Sequence, residues 1–276
     1  VLELTDVSRV LGRRNWSVDQ LVENVFTTVE TPVAGAFRTL EANPDAIRGL
    51  SPQTIEGIHN FIVLHHSRAP GVHDAMNQST QQFLEVLRAS APPGVDVDRL
   101  GLRDATRAES LGFGLRVAAD TEPALSMKGC VALKAPEGKD FILGDNPFVN
   151  LSSQEHFYMR GAVFSPTTFF WFPLNPKLGL FFAKDLGAPI LEGAIKIANA
   201  SSRLADLLNR AEVFVSTDQI VGNKRGLIRS KLRLNNVGAE RIRVERFGYS
   251  PLVMNQNMCV YPITEELVDE VRNQMS

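Results

Sequence analysis

Asp145 ends an apolar run in the stretch FILGDNPF, residues 141–148, and is followed at once by Asn146 and Pro147. A carboxylate at a strand end can be held rigidly and still face a cleft. Glu23 and Glu30 lie seven residues apart in an upstream helical stretch, two turns and so roughly one helix face. Asp145 with Glu30 would supply oxygen ligands for a divalent cation, and such a centre can drive hydrolysis of a phosphodiester or another phosphate ester. Asn146 would then contact substrate. The same residues fit a plainer account. In it, Asp145 accepts turn N–H bonds in an Asx-type stop before Pro147, and the glutamates form salt links.

Other chemistries find less in the residues. No G-x-G-x-x-G follows a strand and no G-x-x-x-x-G-K-[ST] occurs, so the common phosphate cradles are missing. The stretch HNFIVLHH places His59 and His66 seven apart on one helix face, with His65 on the apolar side. That is not the i, i+4 spacing with which two imidazoles share a zinc, and a core or interface role is expected of them. Neither a G-x-S-x-G elbow nor a Cys in a catalytic context appears. Asn146-Pro147-Phe148 lacks the second proline of the turn with which amino-methyltransferases hold an extruded base.

Charge is uneven along the chain. Residues 222–247 hold eight basic residues, including Lys224 and Arg225, against Glu240 and Glu245, a local net charge of +6 in a chain of net charge −2. A basic strand-turn region on an acidic body has the form of a nucleic-acid footprint. It equally suits internal docking against acidic helices. GNKRG, 222–226, reads as a turn.

The elements that must position these residues follow from periodicity. Ser17 caps a helix in which Leu21, Val25, Val29 and Val33 form a stripe, and Pro32 is expected to kink or divide it. SPQTIEGIHNFIVLHHSRA is a second helix, with Ile55, Ile58, Phe61, Ile62 and His65 on one face. Two more helices are expected, over PGVHDAMNQSTQQFLEVLRAS and from about 104 to about 121, with APPGVDV as a linker between them. MKGCVALKAP, KDFILGD, TTFFWFPLN, LGLFFAK, KLRLNN, ERIRVERF and MCVYPI then read as strands, interrupted by a helix near SRLADLLNRAEVFVS. A capped helix over about 264–275 closes the chain.

Helices first and strands second predict an α+β fold, an N-terminal helical layer packed on a C-terminal mixed or antiparallel sheet. The expectation is one domain over 1–276, with a helical half of about 17–122 and a strand-rich half of about 126–262. With 276 residues and 44% apolar content the chain can bury a large core. Its apolar runs fall far short of the roughly 20 residues needed to span a bilayer, so no membrane association is expected. Two distant cysteines, Cys130 and Cys259, suit free thiols and a cytoplasmic setting. The chain begins at Val1 and not at Met, so residues are expected to be missing or trimmed upstream.

Four pieces in order resemble the bacterial domain-of-unknown-function family 4238. QLVENVFTTVETPVAGAF is similar to its helix of repeated acidic positions, which puts Glu23 and Glu30 on the pattern. NFIVLHHSRAPGV resembles its second helix, ending on Arg68 before Pro70. FILGDNPF resembles its hydrophobic strand followed by Ser/Gly-Asp-Asn-Pro, and FWFPLNPKLGLFF with LADLLNRAEVFVST resembles the next strand pair and helix. The likeness covers about residues 15–217. The His-x-x-Pro-Gln segment with which family members begin has no counterpart here. Its name assigns no activity, so the resemblance implies a fold-level grouping and candidate polar positions.

The leading expectation is a metal-assisted hydrolase of nucleic acid or another phosphate ester. Asp145 and Glu30 hold a divalent cation, and Asn146, Arg68, Lys224 and Arg225 contact substrate. The alternative is a non-catalytic binding or interaction module in which Asp-Asn-Pro is a structural turn. A third reading is a metal-free enzyme of small phosphate esters with Arg68 as an anion clamp.

Overall fold

The computed structural model describes residues 18–68, 81, 84–92, 94–100, 119, 122–153, 169–184, 186–193, 195–216, 219–222, 242–247, 250–255 and 260–263. Two helices come first, α1 (Val18–Ala42) and α2 (Pro52–Arg68), with a 3-10 turn Pro44–Gly49 between them. Asn43 caps that turn by accepting the Asp45 N–H. Residues 84–90 and 122–126 are also helical.

A six-stranded mixed sheet follows, ordered β10-β3-β4-β5-β1-β6. Its strands are β1 (Gly129–Lys134), β3 (Val149–Ser153), β4 (Phe169–Asn175), β5 (Leu178–Ala183), β6 (Lys196–Asn199) and β10 (Val260–Ile263). β1 to β5, β5 to β4 and β4 to β3 pair antiparallel, while β6 and β10 join the two edges in parallel. The short β2 (Leu143–Gly144) pairs with β7 (Ile220–Val221). β8 (Ile242–Phe247) and β9 (Ser250–Asn255) form a separate hairpin. Between β6 and β7, helix α3 (Ser202–Val215) opens on Ser201, whose hydroxyl accepts the Leu204 N–H.

Strand side chains alternate between faces, and the core divides accordingly. Val131, Leu133, Phe169, Trp171, Phe181 and Ala183 share a cluster with Leu204, Leu207, Leu208 and Ala211 of α3. Cys130, Ala132, Phe170, Phe172, Leu180 and Phe182 share the other with Val33 and Leu40 of α1 and Ile55, Ile58 and Ile62 of α2. The sheet therefore lies between the N-terminal helices and α3, and the expected α+β arrangement is what the chain adopts. Each fully buried Leu, Ile or Phe adds about 1.5–3 kcal/mol to this sandwich. Gly179 makes room for the Trp171 ring, which a Cβ there would meet at 2.2 Å.

Three local expectations change. Helix α1 runs unbroken through Pro32. Pro32 is exposed, so the carbonyl it leaves without an N–H faces water. The buried stripe of α1 is Phe26, Val33 and Leu40, at sevens, with Val29 only half-buried. In FILGD only Leu143 and Gly144 pair as a strand. The helix of about 104–121, apart from position 119, the strand KLRLNN and the terminal helix of about 264–275 lie outside the described residues, as do Cys259, Lys224 and Arg225. Among the described residues no helix is long and apolar enough to cross a membrane.

Candidate functional site

An extended chain shows alternate backbone groups to opposite edges, and residues 139–146 use both edges. One edge meets backbone: Phe141 N–H donates to the Pro176 carbonyl at 2.7 Å, β2 pairs with β7, and Asp145 N–H donates to the Gln219 carbonyl at 3.1 Å. Among the described residues the other edge meets no strand. It is read instead by one flank of α3, whose residues 206, 209 and 212 recur at the i, i+3 spacing of one helix face.

The contacts proceed in step along both segments. Lys139 Nζ donates to Asp206 Oδ2 at 2.8 Å and to the Ser202 carbonyl at 3.0 Å. Asn209, itself buried, works in both directions. Its Oδ1 accepts the Ile142 N–H at 2.8 Å and its Nδ2 donates to the Asp140 carbonyl at 2.9 Å. Glu212 Oε1 accepts the Gly144 N–H at 2.9 Å. Asn146, fully buried, donates from Nδ2 to the Val215 carbonyl near the helix end. Asp145 Oδ2 accepts the Gln219 N–H at 3.1 Å, so Asp145 and Gln219 are joined by two bonds. Gly144 permits the approach: a Cβ there would lie 1.9 Å from Ser216 Oγ and 3.0 Å from Glu212 Oε1.

Glu212 is the unusual group of this clasp. It has no exposed surface, and among the described residues its Oε2 has no hydrogen-bond partner. Burial raises its pKa well above the ordinary carboxylate range, and the nearby Asp145 charge adds to this against the Gly144 N–H.

The site residues read from sequence fall in different places. Asp145 and Asn146 are both in the clasp. Glu30 is half-buried on α1, four residues after Phe26 and three before Val33, in the layer that covers the other sheet face. Glu212 is an acidic neighbour of Asp145. Among the described residues no three His, Cys, Asp or Glu side chains gather to hold a metal. Arg68 is the last residue of α2, and its side chain lies outside the described residues.

A second polar group bridges α2 and the segment before β1. Ser126 Oγ donates to Glu122 Oε1 at 2.6 Å and lies 3.2 Å from Nε2 of the buried His59. The serine proton goes to the glutamate and not to the imidazole, the reverse of the order that activates a serine nucleophile. Burial lowers the His59 pKa, with Glu122 opposing. His66 is buried against Phe148, with ring centroids 4.7 Å apart and, among the described residues, no hydrogen-bond partner for Nδ1. Burial, and then His65, lowers its pKa to about 4. Both histidines are core groups, as their spacing predicts. Lys128 lies under 5% exposed with Nζ 5.5 Å from the Phe170 ring centre, and burial with Lys184 lowers it to about 8.

Sequence reasoning missed Glu212 and Asn209, which sit among leucines and alanines with no motif to mark them. The one signal was Gly144, a glycine in a strand-like run, which often marks close approach of another group.

No curated protein and no solved structure matches the chain. The pattern of the family described as "Protein of unknown function (DUF4238)" matches residues 13–226, most of the chain, and takes in both α1 and the whole clasp. The chain belongs to the DUF4238 family.

Proposed function

We propose that the chain is a non-catalytic binding module in which Asp145 and Asn146 form a structural turn. Its basic segment 222–247 takes a polyanion, with nucleic acid as the partner class. One observation carries this reading. Asp145 and Asn146, the residues best suited to chemistry by type, both bond backbone groups, the Gln219 N–H just before β7 and the Val215 carbonyl at the end of α3. The segment leaves this point directly after β7 and holds a net charge of +6. A polyanion on such a segment releases counterions in proportion to the phosphates it neutralises.

Binding of a single-stranded oligonucleotide as a function of salt tests the reading. Lys224→Gln with Arg225→Gln weakens binding and flattens the slope of log K against log salt by about one for each contact removed. Asp145→Asn leaves binding intact. A divalent-cation-dependent phosphodiesterase activity that Asp145→Asn abolishes in a folded protein would instead establish the hydrolase.

A further inference from the structure

We propose that the proton on Glu212 is the catch of a pH-operated clasp: with it, Gly144 is held and β2 stays paired with β7; without it, the clasp opens and frees the root of the basic segment. The catch works in the same way whatever the segment binds.

Among the described residues the geometry gives the Glu212 carboxyl one bond, from the Gly144 N–H to Oε1, and nothing for Oε2. In the neutral acid Oε1 is the carbonyl oxygen that accepts that bond, and the proton resides on Oε2. After ionisation a fully buried negative charge is left with one donor, beside a second carboxylate. Among the described residues the groups around it offer no relief. From the strand segment it faces Asp145, while Lys139 pairs with Asp206 and Lys177 with Asp140 further along. Of the strands packed on α3, β2 and β3 hold no ionisable residue and β10 holds Tyr261. The carboxylate therefore relaxes by moving toward water, and Gly144 loses its partner. Gly144 is the β2 residue paired with Ile220, next to the doubly bonded Asp145 and Gln219. Release at Gly144 thus reaches the attachment from which residues 222–247 extend.

The sign follows from linkage. With its native pKa raised, Glu212 keeps its proton in the closed form after the open form has lost it, so closure weakens as pH rises above the ordinary carboxylate range. The test is amide hydrogen exchange at Gly144, Asp145 and Gln219, corrected for the intrinsic rate, between about pH 6 and about pH 9. In the wild type, opening at these amides becomes about tenfold or more frequent over that interval. In Glu212→Gln, which keeps the acceptor and cannot ionise, the change falls below about twofold. In Asp145→Asn, which lifts the neighbouring charge but keeps an acceptor for Gln219, the change is smaller than in the wild type. Equal pH dependence in wild type and Glu212→Gln overturns the proposal, as does acceleration shared equally by the amides of β4 and β5. Should Glu212→Gln not fold, an Asp145→Asn profile identical to the wild type overturns it alone.

Discussion

At Gly144 a missing side chain decides whether the clasp can close. Gly144→Ala drives a methyl onto Ser216 Oγ and should cost about 1–3 kcal/mol in urea denaturation. Ser216→Gly removes the obstacle, so the double variant should recover part of that loss in a double-mutant cycle. Asn209→Ala strips partners from the Ile142 N–H and the Asp140 carbonyl at once, with an expected loss of about 2–4 kcal/mol by the same measurement. Single residues were legible where their type is conspicuous in its setting, as with Asp145 and Asn146 after an apolar run. Their partners were not, because α3 meets the strand segment some 67 to 69 residues away in sequence, a separation that no local spacing encodes.

Among the elements, β1, β4 and β5 were readable because each is a nearly continuous run of buried apolar residues. The edge strand β6, KIAN, has no such run, and its pairing comes from β1 alone. Residues 139–142 read as a strand and are extended, yet helix side chains take the place of a neighbouring strand on one edge. Pro32 belongs to this scale as well. Its ring costs the interior of α1 one hydrogen bond on an exposed face, so Pro32→Ala should raise the urea midpoint by the equivalent of about 1–3 kcal/mol. An unchanged or lowered midpoint would show that Pro32 shapes the helix for packing.

Across the whole molecule, two layers with opposite pH preferences meet on one sheet. On the α2 side, His59 and His66 are buried neutral, so the unfolded chain takes up their protons first as pH falls. For His66 the stability lost in this way begins near its usual value of 6.5 and is complete just below about 4. His66→Gln should flatten this acid limb in a series of denaturation curves. On the α3 side, Glu212 favours lower pH. The order of helices and strands made the α+β class legible, since it requires only local periodicity. That α3 returns to cover the second sheet face was not, because coverage of both faces depends on which strands lie central, and that is settled by long-range pairing. The proposed function makes the Asp-Asn-Pro element a fold clasp in place of a metal centre. Thermal unfolding of wild type and Asp145→Ala, each with and without excess magnesium or manganese, tests it most directly. The expected result is a loss of about 1 kcal/mol in the variant and no cation-dependent shift in either protein. A rise in wild-type Tm with the cation that Asp145→Ala abolishes would contradict it.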